Sequence, residues 1–225
     1  MPKVSEYVDS LVAGECSKLT VSDVGDMSSG GSPSSVQTAN QLKFVNYINQ
    51  ANLALYKRFH LLKKEFEMDY PIDGEEYTLP SNFLIPIHAY YTADKDPVTI
   101  RDDTFNIVNN IDTAVAILIP EPFKAVIKGT DQDTPIRTQI ILKYAASPVK
   151  ATTALSTIHL SQVYTEALLN YAAYKAHLAV SGLMSDENNT YYLRYEASCK
   201  QIVNSGMWGN NEVDQNQKLI NNGFV

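Results

Sequence analysis

Four histidines, two cysteines and a few acidic clusters are the residues of this chain equipped for chemistry. His60, His88, His159 and His177 stand far apart. None has a second His or a Cys at metal-ligand spacing, and neither HExxH nor CxxC occurs. They are read as packed or surface histidines. Cys16 and Cys199 form no disulfide framework and read as free thiols of a reducing compartment. Cys199, between Ser198 and Lys200 on a helical face, reads as a small buried hydrophobe rather than a nucleophile. Asp131-Gln132-Asp133 begins as a calcium loop begins. However, Ile136 stands where such a loop needs Gly, and Leu142 where it needs a bidentate Glu. It reads as a hairpin tip, and Asp94-Lys95-Asp96-Pro97 and Asp102-Asp103 as solvated turns. Gly30-Gly31 has no strand before it and is not a phosphate loop, and no GxSxG elbow occurs. No catalytic, metal or cofactor residue is nominated, and no enzyme is expected.

Charge gives one further candidate. The 225 residues carry 18 basic and 25 acidic side chains, a net −7, which argues against a dedicated nucleic-acid binder. The basic exception is Lys57, Arg58, Lys63 and Lys64, with His60 between. Two readings stand: a solvated helix end whose cations favour the C-terminal dipole, or a contact with an acidic neighbouring subunit. The longest apolar run, Ala114 to Ile119, is far short of the roughly 20 residues of a spanning helix. Glu6 and Asp9 fall where a secretory signal would be apolar. No membrane partner is expected.

The elements that would position these residues follow from periodicity. Tyr7, Val8, Leu11 and Val12 recur at helical spacing and predict a helix over about 4–18. The Ser, Gly and Pro of residues 20–36 predict a linker. Leu42, Val45, Ile48, Leu55, Phe59 and Leu62 predict a long helix over 37–64. At Glu65 the period changes: Phe66, Met68 and Tyr70 alternate with Glu65, Glu67 and Asp69, as in a half-buried strand. Asp73-Gly74 signals a hairpin, with Tyr77 and Leu79 on the return strand. Further strands are expected at 83–91, 104–108, 115–119, 124–128 and 136–145, the last two joined as a hairpin through 129–135. Helices return at 158–182 and 186–204, antiparallel across a short loop. Residues 207–225, rich in Asn and Gln, read as an arm in which Trp208 and Phe224 are isolated aromatic anchors. The expected fold is α+β: a helical bundle (helices near 4–18, 37–64, 158–182 and 186–204) with an inserted antiparallel β block at about 65–146. Fourteen tyrosines suit half-buried faces and interfaces.

The order of these blocks resembles that of bacteriophage head-to-tail adaptors, portal-docked ring proteins of the tail tubular protein A kind. The long helix carries Ile48, Asn49, Ala51 and Asn52 at its centre. A strand follows at Phe66 to Tyr70, then Tyr77-x-Leu79-Pro80, then an Asn-Phe-Leu stretch ending at Tyr90-Tyr91. ILKYAASP and two Tyr- and Ala-rich helices close the pattern. The blocks cover roughly residues 40–93 and 136–206.

The resemblance implies a non-catalytic virion structural protein in the neck between capsid and tail. It would be a single adaptor domain with 1–64 and 155–206 as bundle, 65–154 as β insertion and 207–225 as arm. It implies a homo-oligomeric ring, usually a dodecamer, docked on the portal protein and meeting a tail or nozzle protein. Double-stranded DNA would pass through without its sequence being read. Lys57, Arg58, Lys63, Lys64, Trp208 and Phe224 are the candidate contacts with neighbouring subunits or the portal. The alternatives are another virion ring component, such as a nozzle or baseplate protein, and a non-viral intracellular interaction module.

Overall fold

The computed structural model describes residues 2–17, 35–69, 74–101, 115–128, 139–181 and 190–206. Among these residues lie four helices, α1 (Val4–Ala13), α2 (Ser35–Phe59), α3 (Thr165–Ser181) and α4 (Thr190–Asn204). The seven strands are β1 (Lys63–Met68), β2 (Glu76–Thr78), β3 (Phe83–Tyr91), β4 (Pro97–Arg101), β5 (Ala116–Glu121), β6 (Lys124–Lys128) and β7 (Ile140–Ala146). The chain divides into two compact units, one of residues 1–52 and 150–225, the other of residues 53–149.

In the second unit the seven strands form one sheet in the order β1-β7-β3-β4-β5-β6-β2. All registered pairs are antiparallel except β4 with β5, where Thr99, Ile100 and Arg101 run parallel to Ala116, Ile117 and Leu118. The sheet has to curl. Six inter-strand steps of about 4.8 Å would hold flat edges about 29 Å apart. The edge strands β1 and β2 are joined by the chain from Met68 to Glu76, which reaches about 26 to 29 Å at full extension and so leaves a flat sheet no slack. Curling also lets strands from both edges share one core. Met68, Leu79, Ala89, Val98, Ile117, Ile127, Ile140 and Leu142 pack in a single buried cluster. Alternation supplies these side chains: Phe66 and Met68 turn toward the cluster while Glu65 and Glu67 stay exposed. Charge along β1 guards an edge that would otherwise invite further strands.

The first unit is helical. In α1, Val4, Tyr7, Val8 and Leu11 repeat at one-turn spacing and are all buried. The Glu6 carboxylate accepts from the Lys3 N–H (3.3 Å) and caps the helix start. α3 and α4 run antiparallel, since ring contacts pair Tyr171 with Tyr195 (4.9 Å) and Tyr174 with Tyr192 (5.2 Å).

The fold is therefore mixed α+β with a curled seven-stranded sheet. This overturns the expected helical bundle with an inserted antiparallel β block over 65–146, because the sheet closes a core of its own and includes a parallel pair. Both expected hairpins are overturned too. β1 pairs with β7 rather than β2, and β2 pairs with β6. β6 and β7 are separated by three strands. The long helix stops at Phe59, where His60 takes a left-handed conformation (φ 48°), so Lys63 and Lys64 are strand residues. Leu42 lies outside the buried stripe, 47% exposed. Helix α1 ends at Ala13 rather than 18, and α3 begins at Thr165 because residues 151–158 are drawn into side-chain and strand-like bonds and Gln162–Tyr164 form a 3₁₀ turn. The expected linker at 20–36 (but for its last two residues), the expected strand at 104–108, the loop at 129–135 and the arm at 207–225 lie outside the described residues.

Candidate interaction surfaces

The nominated cations are exposed but do not share one face. Lys57 and Arg58 occupy the last turn of α2, where positive charge complements the helix dipole. Lys63 and Lys64 open β1, and successive strand residues point to opposite faces of the sheet. Trp208 and Phe224 lie outside the described residues.

Other residues make sites that periodicity does not reveal. On the outer face of β3 and β7, the Tyr90 ring lies beneath two ammonium groups, Lys95 at 4.8 Å and Lys143 at 5.7 Å, and His88 stacks on it at 5.7 Å. Glu65 joins this patch, paired to Lys143 at 3.5 Å and accepting from the Tyr90 hydroxyl at 3.4 Å.

A second site arises from a splay in the sheet. β3 keeps register with β4 only at Ala89–Val98 and Tyr90–Pro97, and its pairing with β7 is bulged on both sides of Ile85 and Pro86. A proline is tolerated at such a bulge because it has no N–H to give a ladder. The groove left there has a volume of about 510 Å³ and is lined by Ile85, Pro86, Ile87, Ile100, Arg101 and Ile119.

In the helical unit, polar side chains do work that backbone pairing does elsewhere. The Asn49 amide grips Ala151 from both sides: its Nδ2 donates to the Ala151 carbonyl at 2.8 Å, and its Oδ1 accepts from the Ala151 N–H at 2.9 Å. Beyond Asn49, α1 takes over. Val4 N–H donates to the Ser156 carbonyl at 2.9 Å and Ser5 N–H to Ala154 at 2.8 Å. Ile158 N–H donates back to Pro2 at 3.2 Å, and Lys3 bridges Thr157. Two aromatic side chains converge on the turn after α1. The Tyr191 hydroxyl donates to the Glu15 carbonyl at 3.0 Å, and His177 Nε2 lies 3.0 Å from the same oxygen, so that nitrogen carries its proton. Their rings stack at 4.5 Å.

Burial pushes the Cys16 thiol up to about 12, helped by the Glu15 carboxylate, so the thiol stays protonated and unreactive at neutral pH. Burial, then Glu75, raises the Tyr77 phenol, whose hydroxyl donates to that carboxylate at 2.6 Å. Among the described residues no group of three or more His, Cys, Asp or Glu could hold a metal ion, and no helix is long and apolar enough to cross a membrane.

A family model described as SU10 adaptor protein matches residues 20–215. The chain belongs to the SU10 adaptor protein family. It is a phage adaptor structural protein. No curated protein matches it. For this adaptor the Ile48-Asn49-x-Ala51-Asn52 stretch has a physical meaning. Ile48, Ala51 and Asn52 are buried, and Asn49 clamps a segment over a hundred residues away. A mid-helix Asn, poor in helix propensity, is the one signal in the sequence that could have marked this clamp. Leu155, in the turn that α1 holds at Ala154 and Ser156, has no such signal, since its neighbours are Ala, Ser and Thr.

Proposed function

We propose that this adaptor forms a homo-oligomeric ring, of about twelve copies as in the family its order of blocks resembles, docked on the portal in the virion neck. DNA leaves the capsid through it, and a tail or nozzle protein binds beyond it. The family match over residues 20–215 carries this reading. The net charge of −7 fits a conduit, since a ring of acidic subunits repels phosphates rather than holding them. Lys57, Arg58, Lys63 and Lys64 contact acidic surface on a neighbouring subunit, and residues 207–225 anchor on a neighbour or on the portal through Trp208 and Phe224. The test is reconstitution of the full chain with the portal protein, read by electron microscopy and native mass spectrometry. The expected result is a closed ring on the portal, and a chain lacking 207–225 that folds but does not assemble. A wild-type chain that stays monomeric beside the portal would overturn the reading. Normal assembly of the truncated chain would overturn the role of the arm.

A further inference from the structure

One apolar side chain is displayed where the backbone has little freedom to withdraw it. Leu155 is 74% exposed, yet its turn is held by α1 at Ala154 and Ser156, by Pro2 at Ile158, by Asn49 at Ala151, and internally by Thr153 N–H on the Ser156 hydroxyl (3.2 Å). A lone surface leucine ordinarily needs no explanation. This one has already lost on folding the backbone freedom that binding would otherwise cost. The same chain carries a matching recess, the groove of Ile85, Pro86, Ile87, Ile100 and Ile119, in which Ile85 is 40% exposed. Charge matches in the same sense. Glu6, next to the Ser5 that binds Ala154, is exposed, and among the described residues the charged one lining the groove is Arg101. Lys3, bridged to Thr157, is the cation of the projecting stretch, so the match rests first on Leu155 and second on Glu6.

We infer that the Leu155 turn of one copy seats in the Ile85–Ile119 groove of a second copy, with Glu6 facing Arg101. The partner is another copy because projection and recess, carboxylate and guanidinium, belong to one sequence. A contact that joins two different patches is heterologous and repeats from copy to copy until it closes. The inference rests on the ring reading above and names its subunit contact.

The experiment is disulfide trapping between copies. Full-length chains bearing Leu155→Cys and Ile85→Cys are mixed under assembly conditions with the portal and oxidised mildly, with Ile119→Cys as a second groove variant should Ile85→Cys fail to fold. Native Cys16 and Cys199 are buried and stay silent. The expected product is a covalent dimer from the mixture and from neither variant alone. The doubly substituted chain should give a ladder of multimers. Leu155→Asp should raise the half-assembly concentration about 30-fold with an unchanged melt, as for a truncated hot spot. Arg101→Glu and Glu6→Gln, whose amide oxygen keeps the α1 cap, should each weaken assembly. Wild-type rings without the cross-link, or closure within a single chain, would overturn the contact and leave the ring reading standing. Absence of wild-type rings would overturn both.

Discussion

The sheet of residues 53–149 and the helical unit of residues 1–52 and 150–225 hold themselves together by different means. The sheet draws an apolar side chain from each of its strands or their flanks into one cluster, and its charges remain outside. The helical unit buries alanines and tyrosines along α3 and depends on single polar side chains for long-range order, with Asn49 on Ala151 and with His177 and Tyr191 on Glu15. Burial is non-directional and tolerates small shifts. A bidentate amide does not. The sheet should therefore respond to lost volume and the helical unit to lost donors.

Alkali should produce the largest effect and strike both regions alike. Burial raises Tyr56, Tyr77, Tyr91 and Tyr144 in the sheet unit, and Tyr7, Cys16, Tyr47 and Tyr164 in the helical unit. A raised folded-state value stabilises fully below the unfolded value. That stabilisation is lost as pH climbs through the folded one. Stability should hold to about pH 9 and fall steeply toward pH 12. Circular dichroism with tyrosine absorbance would show both units failing together, and early loss of one alone would break the symmetry. Next, Leu142→Ala should cost about 3 kcal/mol in urea unfolding, by lost burial and the cavity left behind. A cost below about 1 kcal/mol would mean the sheet is not packed as one core.

The sheet is also where the sequence was most legible. Alternation at Phe66 and Met68 and the strands at 83–91 and 124–128 follow from period and turn residues. Pairing does not, because a strand's partner is fixed by curl and closure, and no local signal at Asp73-Gly74 reports that β1 and β2 lie at opposite edges. The candidate surfaces were less legible still. The basic residues at 57–64 are visible as composition, but His60 ends the helix between them and a strand turns the last two apart. The Asn49 clamp depends on Ala151, far along the chain, and a polar residue in mid-helix does not name that partner.

The helical unit offers the finer tests. Asn49→Ala should cost about 2 kcal/mol, since both polar groups of buried Ala151 lose their partner. Hydrogen exchange across 151–158 should quicken more than in β7. Equal acceleration in the two would mean that the amide clamp does not set the helical unit apart from the sheet. His177→Phe and Tyr191→Phe each leave one donor on Glu15, so each should cost about 0.5 kcal/mol. The double variant should exceed their sum, because only then is the carbonyl bare. Smallest of all, Glu76→Gln should leave the melt unmoved. Its 2.8 Å pair with Lys124, which raises that ammonium group, joins an exposed carboxylate to a half-buried lysine at the surface.

The place proposed for this adaptor is a ring between capsid and tail. The measurement that bears on it most directly is electron microscopy of the virion with the chain carrying a visible tag. Tag density in a ring at the neck, beneath the portal and in a fixed copy number, is the expected result. Tag density in a nozzle or baseplate, or its absence from the particle, would contradict it.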